Sequence, residues 1–237
     1  MSLAPSPAPV GPIVQVRQLI RDYQQGTITV HALRGVDLDI APGEFTALMG
    51  PSGSGKTTLL NSIGGLDEPS GGSVVVDGHE LAKTNRGELS DLRLRRLGFV
   101  FQSYNLIPVL TALENTEFVL MLQGVGKEQR RARAMETLAQ VGLTGMEGRR
   151  PGELSGGQQQ RVAVARAITG QPALVLADEP TANLDSKMGH ELIELMQHLN
   201  REHGITFLFA THDPKVMDAA TRVVWLEDGK ILRDERK

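Results

Sequence analysis

Short apolar runs alternate with stretches of helical periodicity along this chain. Residues 13–20 and 30–40 read as strands, with residues 24–29 turning between them. Residues 44–49 form a buried strand that runs directly into a glycine-rich loop, and residues 56–66 follow as a helix. Residues 73–76 make a short strand before the Asp77-Gly78 turn, and residues 97–101 make another apolar strand. The pattern then changes: residues 111–169 are mainly helical and rich in charge, most clearly at 127–141 and 158–168. Strands return at 173–177 and 205–210 around a helix at 186–202, and 223–226 with 230–232 flank the Asp228-Gly229 turn as a terminal hairpin. Strand–helix alternation of this kind predicts a mostly parallel sheet covered by helices, with an early antiparallel β-rich stretch and a helical insertion.

The length of 237 residues allows one large domain or a core carrying an inserted subdomain. With 40% hydrophobic and 22% charged residues the chain has an ordinary globular composition. A formal net charge of −3 lacks the basic excess of a general nucleic-acid binder, so no nucleic-acid partner is expected. The absence of cysteine removes disulfides, thiolate metal sites and cysteine nucleophiles. No apolar stretch is long enough for a membrane-spanning helix. Residues 1–12, rich in Pro, Ala and Ser, lack the basic and apolar regions of a signal peptide and read as a flexible tail on a cytoplasmic protein.

The strongest chemical signal is Gly50-Pro51-Ser52-Gly53-Ser54-Gly55-Lys56-Thr57-Thr58, placed between a strand and a helix. Its glycines let the backbone close around an anion, its amides and the helix dipole face phosphates, Lys56 can reach the β- and γ-phosphates, and Thr57 can ligate Mg²⁺. Thr58 is expected near the α-phosphate. This motif alone gives nucleotide binding, not the kind of nucleotide enzyme. The apolar run 173–177 ends in Asp178 and Glu179, whose desolvation needs a reason. Asp178 is placed to hold Mg²⁺ through water, and Glu179 to orient or deprotonate an attacking water; taken alone, the pair could equally be a solvated strand end before Pro180.

Leu154-Ser155-Gly156-Gly157-Gln158, continued by residues 159–166, resembles the signature of ABC ATPases. The residues admit a plainer reading, a capped helix start with a Ser-Gly-Gly lead-in, but that does not account for the ordered motifs around them. By the same resemblance Tyr23 matches the adenine-stacking aromatic, Gln102 the Q-loop glutamine that meets Mg²⁺ and the γ-phosphate, Asn183-Leu184-Asp185 the D-loop, and His212 the switch histidine. The resemblance covers about the whole chain from Ile13 and implies an ABC ATPase domain at 13–237: a P-loop NTPase with a RecA-like core, an antiparallel β-subdomain and a helical subdomain at about 103–170. It also implies a head-to-tail dimer with a second copy, each ATP lying between residues 50–58 of one copy and 155–158 of the other.

Residues 30–36, 49–67, 98–102 and 177–181 are similar to the macrolide-export and lipoprotein-release branch of that family. Thr57 stands where serine is commoner and Ala182 where glycine is frequent. The branch implies ATP hydrolysis that drives a separate integral membrane permease, by export or by mechanical transmission, with this chain peripheral at the cytoplasmic face of the inner membrane. The same cycle could instead regulate an envelope enzyme without moving cargo. Residues 103–124, carrying Leu106, Ile107, Leu110, Phe118 and Leu122, are expected either to dock the permease or to be helical core. Arg93, Arg95 and Arg96 read as a solvated basic face.

Overall fold

The computed structural model describes residues 11–237, so all but the last two residues of the expected N-terminal tail lie outside the described residues. The chain opens with β1 (Val14–Gln25) and β2 (Ile28–Ile40), paired antiparallel. Both run further than the apolar pattern predicts, because Tyr23 pairs with Val30 and Gln25 with Ile28, which shortens the turn to two residues. Next come β3 (Phe45–Met49), the glycine-rich loop and α1 (Lys56–Ile63). Helix α1 stops before residue 66, at Gly64, where an added Cβ would lie 2.8 Å from the Phe99 ring.

Strands β4 (Gly71–Val76) and β5 (His79–Glu80) complete a four-stranded antiparallel sheet in the order β2-β1-β4-β5. Helix α2 (Arg86–Arg96), absent from the sequence reading, then leads into β6 (Leu97–Val100). It buries only Leu92 and is started by Asn85, whose side chain accepts from the amides of Gly87 and Glu88. Its arginines are less uniformly solvated than expected: Arg93 donates to the Gly65 carbonyl at 2.9 Å and Arg96 pairs with Asp77, while Arg95 meets Asp91 on the surface.

Three helices follow: α3 (Ala112–Leu122), α4 (Lys127–Gln140) and α5 (Gly156–Ile168). The chain then runs through β7 (Leu174–Asp178), α6 (Ser186–His203), β8 (Thr206–Ala210), α7 (Pro214–Ala219), β9 (Arg222–Glu227) and β10 (Lys230–Arg236). The second sheet has the order β10-β9-β3-β8-β7-β6, parallel throughout except for the β9–β10 hairpin.

This sheet is buried on both faces, as near-continuous apolar strands require. Phe45, Ala47, Val175, Ala177, Phe207 and Phe209 face one core, with helices α5 and α6. Leu48, Leu174, Leu176, Leu208 and Ala210 point the other way, against α1 and the antiparallel sheet. The two-residue period of a strand thus divides one set of strands between two cores. It also brings the carboxyl ends of β3, β8 and β7 side by side, the edge at which open α/β sheets bind ligands.

Candidate functional site

The loop after β3 is shaped by close approaches that only glycine allows. Gly50 has φ +149°, and a Cβ there would lie 2.0 Å from the Leu226 carbonyl oxygen. Gly55 has φ +102°, and its Cβ would lie 2.6 Å from the Ala32 carbonyl oxygen. Both sheets therefore press on the loop and fix its curvature. Lys56 begins α1 with 8% exposure, its Nζ donating to the carbonyls of Gly50 at 2.8 Å and Pro51 at 2.9 Å. Burial lowers the Lys56 ammonium below its ordinary value, opposed by the charges of Glu179 and Asp178. Ser54 Oγ is buried with no hydrogen-bond partner. A tightly curved glycine loop, a cation and a spare buried hydroxyl are chemically suited to a polyphosphate.

Strand β7 delivers Asp178 and Glu179 to the same edge. Thr57 Oγ1 donates to Asp178 Oδ1 at 3.1 Å, so the hydroxyl and carboxylate expected to hold Mg²⁺ already meet. Hard oxygen donors few in number fit an ion that keeps water and phosphate ligands. Among the described residues there is no cluster of three or more His, Cys, Asp or Glu able to hold a metal without such help. Burial raises Asp178 above the usual carboxylate value; the Thr57 hydrogen bond opposes this, Glu179 adds to it, and Lys56 opposes it.

Glu179 lies in the left-handed region, φ +45°, where a non-glycine residue is strained. Both its oxygens are engaged: Thr211 Oγ1 donates to Oε2 at 2.9 Å, and His212 Nδ1 lies 2.7 Å from Oε1. The chain thus joins Glu179 to His212 from adjacent strand ends. Gln102, after β6, is exposed, and its carbonyl accepts from Asn183 Nδ2 at 2.8 Å. Asp185 caps α6, accepting from the Met188 amide at 2.9 Å. Tyr23 donates to Asp67 Oδ2 at 2.5 Å, and the Arg21 guanidinium sits 4.5 Å from its ring centroid.

Ser155 and Gln158 stand apart. They form a reciprocal cap on α5: the Gln158 amide donates to Ser155 Oγ at 3.3 Å, and the Ser155 amide to Gln158 Oε1 at 3.0 Å. Gly156 and Gly157 are packed against Tyr104 and Met188, where an added Cβ would lie 2.9 Å from the Tyr104 hydroxyl and 2.8 Å from the Met188 sulfur. Among the described residues, no hydrogen bond joins 155–158 to 50–58 within one chain. Sequence reasoning missed Thr211, Asp213, Thr181 and Arg166. Thr181 Oγ1 donates to Asp213 Oδ2 at 2.7 Å, and Arg166 donates to the carbonyls of Tyr104 and Asn105, which ties the segment after Gln102 to α5. Only Thr211 left a signal, as a polar residue ending an apolar strand beside His212.

A phosphate loop on β3, an Asp-Glu pair ending a nearby parallel strand and a RecA-like sheet define a P-loop ATPase. The ABC transporter family pattern matches residues 33–182, and the chain belongs to that family. Macrolide export ATP-binding/permease protein MacB 1/2 of Paracoccus denitrificans is 47% identical over 225 residues, 95% of this chain but 34% of that protein. Lipoprotein-releasing system ATP-binding protein LolD of Anaeromyxobacter dehalogenans is 48% identical over 224 residues, 94% of each chain. The chain therefore spans about a third of the MacB relatives and nearly all of the LolD one. The ATP-binding cassette MJ0796, solved as a dimer in a post-hydrolysis state with ADP and Pi, superposes with a TM-score of 0.87 at 44% identity, covering 94% of this chain and 98% of that one.

Proposed function

We propose that the chain works as a pair of copies that close head to tail on two ATP molecules and transmit the resulting motion to a separate membrane permease. The observation that carries this reading is the convergence of Lys56, the Thr57–Asp178 pair and the Glu179–His212 pair on one edge of the sheet. Residues 50–58 hold the phosphates, Tyr23 stacks on adenine, and Ser155–Gln158 with Asp185 of the second copy complete the site. The α5 amino terminus, capped by Ser155 and Gln158, supplies an electropositive end for the γ-phosphate.

Thr57, Asp178 and Gln102 would hold Mg²⁺, which would supply neutralisation of the phosphate charge. Glu179 accepts a proton from the attacking water as its oxygen bonds to the γ-phosphorus, and the bond to the β–γ bridging oxygen breaks. Before this step His212 turns from Glu179 to the γ-phosphate side, which frees Oε1. The relatives' names favour export or lipoprotein release as the driven process. No helix among the described residues is long and apolar enough to cross a membrane, which fits a peripheral subunit at the cytoplasmic face. Residues 103–170 form the helical subdomain in this reading, and residues 13–237 one ATPase domain.

Glu179→Gln tests the assignment. It keeps ATP binding and lowers turnover by roughly 10²-fold or more, the scale of a lost general base. Wild-type turnover in that variant would show that Glu179 is not the base.

A further inference from the structure

We infer that Thr211 is the residue that positions Glu179, and that it selects Oε1 as the oxygen that receives the water proton. This rests on the proposed role of Glu179 and goes beyond it. The two partners of the carboxylate differ in kind. His212 has a side chain 71% exposed and is free to turn, whereas Thr211 is fully buried. The Thr211 amide donates to the Leu48 carbonyl at 3.1 Å, and the Glu179 amide to the Ala210 carbonyl at 2.8 Å, so both backbones are fastened to neighbouring strands.

The hydroxyl itself is oriented. The Asp213 amide donates to Thr211 Oγ1 at 3.0 Å, which occupies a lone pair and leaves the hydroxyl hydrogen directed at Glu179 Oε2. Asp213 is held in turn, its Oδ1 accepting from the Lys215 amide at 2.9 Å and its Oδ2 from Thr181 at 2.7 Å. Thr181 lies two residues after Glu179, so the contacts close a ring: Glu179, Thr211, Asp213, Thr181 and back along the chain. That ring gives a physical reason for the strained φ at Glu179, since backbone strain persists only where surroundings over-determine it. When His212 leaves, Oε2 stays bound to Thr211 and Oε1 alone becomes free.

The test compares Thr211→Val, nearly equal in shape but without the hydroxyl, with Thr211→Ser, which restores it. Steady-state phosphate release by the full chain gives kcat and KM for ATP, and Glu179→Gln runs in parallel. Misplacing a reacting group by about an ångström costs roughly 10²-fold, so Thr211→Val lowers kcat by at least ~10-fold with KM within ~2-fold of wild type, and Thr211→Ser recovers most of the loss. If the buried valine prevents folding, Thr211→Ala carries the same reading. An inactive Glu179→Gln beside a wild-type kcat in Thr211→Val overturns the positioning role alone. A parallel rise in KM, or no recovery with serine, makes Thr211 merely structural and also overturns it. An active Glu179→Gln removes the reading on which it rests.

Discussion

At the residue scale, the site places groups where they destabilise the ligand-free fold. Asp178 has its carboxyl raised by burial, so the folded chain holds that proton more tightly than the unfolded chain does. The resulting stability is fully present below the unfolded carboxyl value and is lost as pH rises through the folded one. At neutral pH the ionised Asp178 is therefore a cost. Asp178→Asn, which can still accept from Thr57, raises the Tm of the ligand-free chain at about pH 7. The gain shrinks as pH is lowered toward the carboxylate range, while Mg²⁺-dependent turnover falls at every pH. Thermal scans of both proteins across that range check the sign; a lower Tm for the variant at neutral pH would contradict it.

Residue-level chemistry was legible where a motif had fixed spacing. The loop at Gly50–Thr58 and the Asp178-Glu179 strand end stand in the sequence because their neighbours impose strand–loop–helix and buried-strand patterns. The ring through Thr211, Asp213 and Thr181 was not legible. It joins residues 32 apart whose types are ordinary, and only the pairing of β7 with β8 brings them together. The Arg21–Tyr23–Asp67 contacts were hidden for the same reason, a pairing across 44 residues.

At the scale of elements, apolar period predicted what buries an apolar face and missed what does not. Helix α2 escaped notice because a single buried leucine gives no stripe, and its start depends on the Asn85–Glu88 cap. The six-residue α7 is too short to show a period. Strand β10, read from the hairpin pattern only at 230–232, runs on to Arg236 because it is held by charge: most of its residues are exposed, yet Asp234 reaches the buried Arg222, which also donates to Glu44 at 2.9 Å and to the Asp39 carbonyl at 2.6 Å. These partners hold the Arg222 cation well above its ordinary value, the Asp234 hydrogen bond most of all, with burial opposing. Removing one member of such a pair leaves the other uncompensated, so Arg222→Met costs about 2–4 kcal/mol, discounted for the part-exposed Asp234. A shift in the urea midpoint with unchanged m-value checks this, and no shift would show that β10 is held by its backbone alone.

For the whole molecule, the sequence order of motifs implies a site that one chain does not close. Within a copy, Ser155 and Gln158 satisfy each other and make no hydrogen bond to the phosphate loop among the described residues. In the proposed pair of copies ATP is the group that joins two faces, its charge set between the loop of one copy and the α5 amino terminus of the other. Ser155→Arg loses a helix cap, a cost of about 1 kcal/mol, and sets a bulky cation in the shared face. It leaves nucleotide binding by the isolated chain largely intact and abolishes ATP-dependent association.

Sedimentation of the Glu179→Gln chain with and without ATP and Mg²⁺ reads this association directly, since blocked hydrolysis keeps the joining nucleotide in place. A 25.7 kDa species should become one of twice that mass on adding ATP and return to the monomer when ADP replaces it. An ATP-loaded chain that stays monomeric at micromolar concentration would contradict the shared site.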